Sequence, residues 1–379
     1  MNKTNFISTL AVVAQSLVIP AAYASVELTL GAGSDNNAFR LADKFDPESG
    51  RFYKTTFAYS DKFDNGMYVN LKATKTTFES KLENADSDKQ DIKLGFRHTF
   101  DSSNKFNFAL SGSNYDKTYI SRTTGLVGTS GGKEIEDRYD NRWWRLQSDY
   151  TFNLNDRHSL ILFAELLDKN YEEVDGSDSL SNLDYRQLGT GVRWLYKPAK
   201  NWRLETSLRY RDREYDDKRA RDDDGKSIEG SELSYDYYRA LVSGIWSINK
   251  QHRLVFRAYR EDLEDNYSGY YDRETVNASL TWRYRWDKRK NTLTTRLQYI
   301  DYRNANDLAQ DESEQDEDEN NSVDNHGTVF SINYDRLLWK NQDYKVYGYV
   351  KGSWYNYDAP RDIYQYQRSI LELGGSVKF

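Results

Sequence analysis

From Val26 to Phe379 one unit repeats: a segment of roughly 10–15 residues in which apolar and polar side chains alternate, then a break. The breaks come in two kinds. Short ones fall at Lys62–Gly66, Asp101–Lys105, Leu154–Arg157, Pro198–Asn201, Asn249–Gln251, Lys288–Lys290 and Asn341–Asp343. Longer, more acidic ones fall at Ser34–Gly50, Ser80–Asp88, Ser121–Arg138, Glu173–Leu183, Asp217–Leu233, Tyr267–Asp272, Asn304–Asn325 and Asp358–Tyr366. Short and long strictly alternate. Period-two alternation is the signature of a strand, and strands joined alternately by tight turns and long loops make an antiparallel up-and-down meander. The segments number about sixteen, an even count that lets an all-β sheet close into a barrel with both ends of the chain on one side. Strands are expected to start near Val26, Arg51, Met67, Lys89, Phe106, Tyr139, His158, Asp184, Trp202, Ser234, His252, Arg273, Asn291, His326, Tyr344 and Gln367.

Each strand has one apolar and one polar face. In Trp202–Arg211 one face carries Trp202, Leu204, Thr206, Leu208 and Tyr210, and the other Arg203, Glu205, Ser207, Arg209 and Arg211. A soluble sandwich would show the same pattern with its apolar face inward. Two features point to lipid instead. The segments are longer than ordinary sandwich strands of about five or six residues and match the ~9–11 needed for a tilted bilayer crossing. Aromatic residues also gather at strand ends, as Trp194 and Tyr196, Trp286, Trp339 and Tyr344, and Phe100 and Phe106 do. Such rings suit a membrane interface, where one edge meets lipid and the other water.

Lys3, the apolar stretch Phe6–Ala21 and the small residues of Ala22-Tyr23-Ala24 have the form of a cleavable leader, which divides the chain into residues 1–24 and a barrel over 25–379. No later apolar run reaches the ~18 residues of a spanning helix. The chain is acidic overall, with Lys+Arg 53 against Asp+Glu 60, and its 31 Tyr, 9 Trp and 16 Phe are too many for an unstructured polymer. Cysteine is absent, which excludes disulfides, thiol nucleophiles and cysteine metal sites. Leu371, Leu373, Gly375, Val377 and Phe379 share one face of the last strand. That ending resembles the terminal recognition signal of Gram-negative outer-membrane barrels. The resemblance implies an outer-membrane location, assembly through the strand that ends at Phe379, and contact with bilayer and lipopolysaccharide. It also places the short turns in the periplasm and the long loops outside the cell.

Catalysis finds little support. The four histidines, His98, His158, His252 and His326, lie near predicted strand starts or on the lipid parity. No G-x-S-x-G elbow, H-E-x-x-H motif or phosphate-cradling glycine loop occurs, so no enzyme activity and no cofactor are expected. The arginines fall on alternating strand positions and form no contiguous basic patch, which excludes a nucleic-acid reader. Asp311–Glu319 is low-complexity and acidic, and reads as a solvated external loop. It lacks the spacing and glycine of an EF-type calcium loop, and no metal site is expected.

If the apolar face meets lipid, the polar face lines the lumen. Twelve arginines fall there: Arg97, Arg145, Arg193, Arg203, Arg209, Arg211, Arg239, Arg253, Arg257, Arg283, Arg285 and Arg296. Lys72 and Lys93 join them, and Tyr115, Tyr259, Tyr347, Tyr349 and Tyr355 add aromatic surface. The acids on that side are fewer: Asp149, Glu165, Glu205, Asp335 and Glu372. Rings of arginine favour anions, and guanidinium forks suit carboxylates and sulfates. Against an open pore stand the inward-parity Trp143, Ile161, Phe163, Leu195, Leu241 and Ile245, which would narrow the interior, and arginines that could pair with acids to fill it.

In strand number and length the chain is similar to sixteen-stranded porins. That resemblance implies a passive channel, here for anionic solutes such as acidic oligosaccharides. The chain lacks the Pro-Glu-Phe signature of the inward-folded third loop, for which Ser121–Arg138, with Gly125, Gly128, Gly131 and Gly132, is the counterpart. Two other readings remain: a structural or surface-interaction barrel that binds through its acidic loops, and a barrel for surface-polysaccharide export.

Overall fold

The computed structural model describes residues 24–45, 47–101, 103–121, 126–130, 133–172, 183–304, 323–359 and 365–379. The leader-like segment up to Tyr23 and the whole acidic stretch 305–322, with the expected external loop Asp311–Glu319, lie outside these residues. Sixteen long strands run Ser25–Asp35 (β1), Gly50–Lys62 (β2), Met67–Phe78 (β3), Ser87–Thr99 (β4), Asn104–Lys117 (β5), Asn141–Asn153 (β6), His158–Tyr171 (β7) and Tyr185–Tyr196 (β8). They continue as Trp202–Tyr215 (β9), Ser234–Ser247 (β10), His252–Asp265 (β11), Arg273–Trp286 (β12), Asn291–Asn304 (β13), Val323–Lys340 (β14), Lys345–Asp358 (β15) and Tyr366–Lys378 (β16). Each begins within three residues of its expected start. Consecutive strands pair antiparallel all the way round, and β1 pairs with β16, so the sheet is a closed sixteen-strand barrel. Closing the sheet removes both edges, which is how an all-β sheet satisfies every backbone polar group where no water can help.

The seam lies where the chain ends meet. Val26 N–H donates to the Phe379 carbonyl at 3.3 Å, and Phe379 N–H donates back to Val26 at 2.9 Å. Leu28 then faces Val377, and Leu30 faces Gly375, on the outer parity. The tight turns are set by local chemistry. In Asp64-Asn65-Gly66 the backbone of Gly66 has φ +88°, and a Cβ there would fall 2.1 Å from the Arg97 carbonyl oxygen. Asn155, Asn249 and Asn341 each accept two backbone N–H bonds within their own turns, so the side chain stands in for a backbone partner.

Large apolar side chains are exposed on one parity only through the strand centres: Leu94, Leu110, Leu146, Leu162, Leu188, Leu208, Leu280, Leu297, Val350 and Leu373 all point away from the barrel. Aromatic rings bound this apolar zone. At the short-turn end His252, Trp282, Tyr284, Trp286 and Tyr334 form a run of near-parallel rings 4.5–5.8 Å apart, and Trp339–Tyr344–Phe379 carries it to the last residue. At the long-loop end Tyr210 packs on Tyr238, and Phe330 on Trp354. Trp202 and Tyr210 are eight residues apart on one strand, about 27 Å along it and roughly 20 Å along the barrel axis at a typical tilt. That approaches the apolar height of a bilayer-facing barrel. The one register shift described lies between Leu337 and Trp339 in β14. It inserts Leu338, so Leu338 and Trp339 are both exposed where strict alternation would turn one inward.

Candidate functional site

The register carries all twelve arginines onto the parity opposite the exposed leucines: Arg97 on β4, Arg145 on β6, Arg193 on β8, Arg203, Arg209 and Arg211 on β9, Arg239 on β10, Arg253 and Arg257 on β11, Arg283 and Arg285 on β12, and Arg296 on β13. In a closed barrel that face is the inside. The arginines divide into two environments.

Five of them are tied to carboxylates. Arg193 and Arg203 approach Glu205 at 3.3 and 3.4 Å. Arg209 pairs with Glu165, while Arg211 and Arg239 share Glu261. Arg209 and Arg239 are direct partners across the β9–β10 ladder, an arrangement that would repel without Glu165 and Glu261 on either side. Glycine makes this layer possible. Gly189 lies between Glu165 and Arg211 in the register, and a Cβ on it would approach both side chains at 2.8 and 3.1 Å. At Gly191 a Cβ would meet Phe163 at 2.4 Å. Bare backbone on β8 thus lets the β7 and β9 side chains close over it, and Phe163 lies under both Arg193 and Arg209 at 5.5 and 5.8 Å. Above them Arg213 is stacked between Tyr185 and Tyr237 at 4.2 and 4.8 Å and donates to Gln187. On strands β7 to β11 the wall therefore carries a charge-paired, space-filling layer, although the Nε groups of Arg193, Arg209 and Arg211 stay without a hydrogen-bond partner among the described residues.

Arg97 and Arg145 are intermediate. Arg97 donates to Asn107 at 3.3 Å and lies over Tyr68, and Arg145 lies over Trp143.

The other five are different. Arg253, Arg257, Arg283, Arg285 and Arg296 have no carboxylate within 4 Å among the described residues, and all sit in the short-turn half of β11, β12 and β13. Arg253 and Arg283 are direct register partners, with Arg285 two residues on along the same face. Like charges directly opposite on one face destabilise a strand pair; the inward Asp335 stands two strands away on the row of Arg285 and makes no ion pair with the five.

Sequence reasoning missed several interior groups. Glu261 was absent from the expected inward acids, although the alternation of β11 that places Arg257 and Tyr259 inward also places Glu261 there. Arg40, Lys54, Lys351 and Arg368 border an internal cavity at the long-loop end, and the strand-by-strand reading did not collect them. The loops at that end also differ from expectation. Ala220 and Leu233 of the β9–β10 connection are buried against the inward-parity Tyr235, Tyr237 and Leu263, so this loop folds onto the inner wall. The described part of Ser121–Arg138 folds on itself through the short pairing of Thr129–Ser130 with Lys133–Glu134. The histidines lie on the outer parity: His158 stacks on Trp194 and Tyr196, and His252 accepts a bond from the Trp282 indole N–H at 3.3 Å.

No protein-family model matches the chain, and no curated protein does. Several solved structures are similar to it over most of its length. OmpT, an outer membrane protein of Vibrio cholerae, is 11% identical over 95% of this chain and 100% of its own, with a TM-score of 0.45. OccAB3 of Acinetobacter baumannii is 10% identical over 94% and 99%, with a TM-score of 0.46. OccK2 (OpdF) of Pseudomonas aeruginosa, in complex with glucuronate, is 11% identical over 94% and 97%, with a TM-score of 0.41. At these values the likeness stops at the barrel, and what defines this chain is its own fold: a closed, sixteen-stranded antiparallel β-barrel.

Proposed function

We propose that the protein is a porin-like channel of the Gram-negative outer membrane that passes small anionic solutes through an arginine-bearing lumen. Its outer face meets lipid bilayer and lipopolysaccharide, and the outer-membrane assembly machinery reads the strand ending at Phe379. The apolar outer band and its aromatic borders support the membrane setting. The observation that carries the anion preference is the group of five arginines on β11–β13 that have no carboxylate within 4 Å among the described residues, above all the facing pair Arg253 and Arg283. A barrel that only needed stability would pair or replace such charges, as Glu165 and Glu261 do for Arg209 and Arg239. An uncompensated guanidinium cluster instead attracts mobile anions. No catalytic step belongs to this reading.

The test is conductance of the purified protein in a planar bilayer under a KCl gradient. An anion-selective reversal potential is expected, and its weakening in Arg253→Gln/Arg283→Gln. A barrel without conductance, or one selective for cations, would sink the proposal. A second reading, a filled structural barrel, is favoured by the layer over β7–β11 and by the β9–β10 loop folded onto the wall. Absence of conductance in a correctly folded barrel would favour it.

A further inference from the structure

A cavity of about 300 Å³ lies against the inner wall at the long-loop end, at the lower limit of the size of small-molecule sites. Its wall is the continuous run of strands β15, β16, β1, β2, β3, β4 and β5, and the β1–β2 and β3–β4 loops border it through Ala38, Arg40 and Ala85. It shares no residue with the arginine groups described above.

The border is built rigidly. Asn37 is fully buried: its side-chain amide donates to the carbonyls of Leu41 at 2.8 Å and Gln367 at 3.2 Å, and its oxygen accepts the Leu41 N–H at 2.8 Å. Asn36 accepts the Ser369 N–H at 2.6 Å and Asp43 accepts the Gln367 N–H at 2.9 Å, which ties the β1–β2 loop to β16. Ala38, Leu82 and Ala85 pack together beneath Phe39 and Phe78. Within this frame Arg40 is held at φ +58°, a conformation that a residue with a Cβ adopts only where surrounding contacts enforce it.

The charge balance of the cavity is one-sided. Arg40, Lys54, Lys117, Lys351 and Arg368 face two carboxylates, Asp35 and Glu372. Both carboxylates are already engaged. Asp35 accepts from Arg368 and from the Asn37 N–H, and Glu372 from the Tyr349 hydroxyl at 2.7 Å with Lys54 at 3.8 Å. Arg40 has no carboxylate within 4 Å among the described residues, and Lys351, although Glu372 is its cross-strand register partner, forms no ion pair with it. Hydroxyls of Thr76, Ser87 and Ser353 and the rings of Tyr115 and Tyr355 complete the lining. Two cations not engaged in an ion pair, beside hydroxyl donors and aromatic faces, are the recognition chemistry of one carboxylate on a hydroxylated ring.

We infer that this cavity is a binding site for a sugar acid of single-residue size, with the carboxylate held by Arg40 and Lys351. The site binds whether or not the lumen conducts, so its fate is separable from that of the channel.

The experiment is calorimetric titration of the whole detergent-purified barrel with D-galacturonate, and with D-galactose as its neutral counterpart. Galacturonate should bind and galactose should bind at least tenfold more weakly. Lys351→Gln should weaken galacturonate at least tenfold. Arg40→Gly removes the guanidinium and suits the positive φ, so it should fold as well as the parent and lose binding to the same degree. Equal affinity for the two sugars, no binding of either, or galacturonate binding that survives both substitutions overturns the inference. Conductance measured on the same preparations keeps the two proposals apart: binding without conductance leaves this site standing and removes the channel, and anion conductance without binding does the reverse.

Discussion

Replacing Arg283 by Gln should make the barrel more stable, the opposite of the usual effect of removing an interior charge. Arg283 faces Arg253 directly across the β11–β12 ladder, and Arg285 follows it on the same face. Cα partners in such a ladder lie roughly 4.5–5.5 Å apart, and splaying of two long side chains puts the guanidinium groups about 7 Å apart. At that separation the repulsion is about 0.6 kcal/mol in water and ~2.4 kcal/mol at the effective dielectric of a protein surface. Arg253 is exposed and Arg283 half-buried, so the lower part of that range applies. A gain of about 0.5–1 kcal/mol is expected, measured as the urea midpoint in a fixed detergent or lipid with fluorescence of the nine tryptophans as the signal. Salt supplies the control. The Debye length falls from about 30 Å at 0.01 M to ~3 Å at 1 M, so the gain should be near full at the first and almost gone at the second. Gln is neutral and nearly as long as the aliphatic part of Arg, so a packing loss is small. A variant destabilised by more than about 1 kcal/mol at low salt would refute the reasoning, because it would show that the attraction of Arg283 to the inward Asp335 outweighs its repulsion by Arg253. A gain equal at both salt concentrations would refute it too, because it would not be electrostatic.

Glu261→Gln should act in the opposite direction. It strips Arg211 and Arg239 of their shared carboxylate, a loss of about 3 kcal/mol in urea unfolding that should be partly recovered in the double variant with Arg239→Gln. Gly191→Ala places a methyl 2.4 Å from Phe163 and 2.5 Å from the Leu208 carbonyl oxygen, and should lower stability by about 1–3 kcal/mol in the same assay. Asp140, at the foot of the β5–β6 loop, is pushed up to about 7, by burial first and then by Asp116, Asp137 and Glu172, against the Lys117 N–H that it accepts at 2.7 Å. Its folded value lies above the unfolded one, so its stabilising contribution is complete below about pH 4 and disappears as pH rises through 7. Protease nicking of that loop, corrected for enzyme activity, should therefore rise between pH 5 and 8 in the parent and stay flat in Asp140→Asn.

Strand positions were legible because a bilayer-facing strand has to alternate along its whole length, and because turn chemistry such as Asp64-Asn65-Gly66 marks where alternation stops. Closure was legible as well: an even number of bilayer-length strands cannot leave two edges unpaired in lipid, and Val26 and Phe379 meet at the seam. The state of each interior charge was not. Parity tells which wall Arg209 and Arg283 share, but whether each finds a carboxylate depends on inter-strand register and on free volume. Glu165 reaches Arg209 across β8 only because residue 189 is glycine, and nothing local to Arg209 encodes that. Arg40 was hidden for another reason. It sits in a loop, and only the long-range bonds of Asn36, Asn37 and Asp43 to β16 bring that loop onto the wall. The docking of Ala220 and Leu233 was masked by the charged Asp222-Asp223-Asp224 between them, whose composition reads as wholly solvated.

The two free cation groups, one at each end of the lumen, are linked by the geometry of the sheet. Arg253 pairs with Arg283, Arg283 with Thr294, Thr294 with Asn333, and Asn333 with Lys351, so Lys351 of the cavity stands in the same inter-strand row as the facing arginine pair. Four strand spacings separate Arg253 from Lys351, about 19 Å along the row. The row runs perpendicular to strands that tilt by about 40°, so it also climbs the barrel axis by ~12 Å. The full separation of about 19 Å is more than two Debye lengths at physiological ionic strength. An anion held at Lys351 and Arg40 stands about 14 Å from Arg283, where salt screens most of the attraction at physiological ionic strength and leaves it stronger at low salt, and Thr294 and Asn333 supply hydroxyl and amide groups between. If the lumen conducts as proposed, the tilt of the strands converts a flat row of residues into a ramp of positive potential. The compensated layer on β7–β11 then has a definite role: by neutralising and filling the adjoining wall, it bounds that potential on one flank.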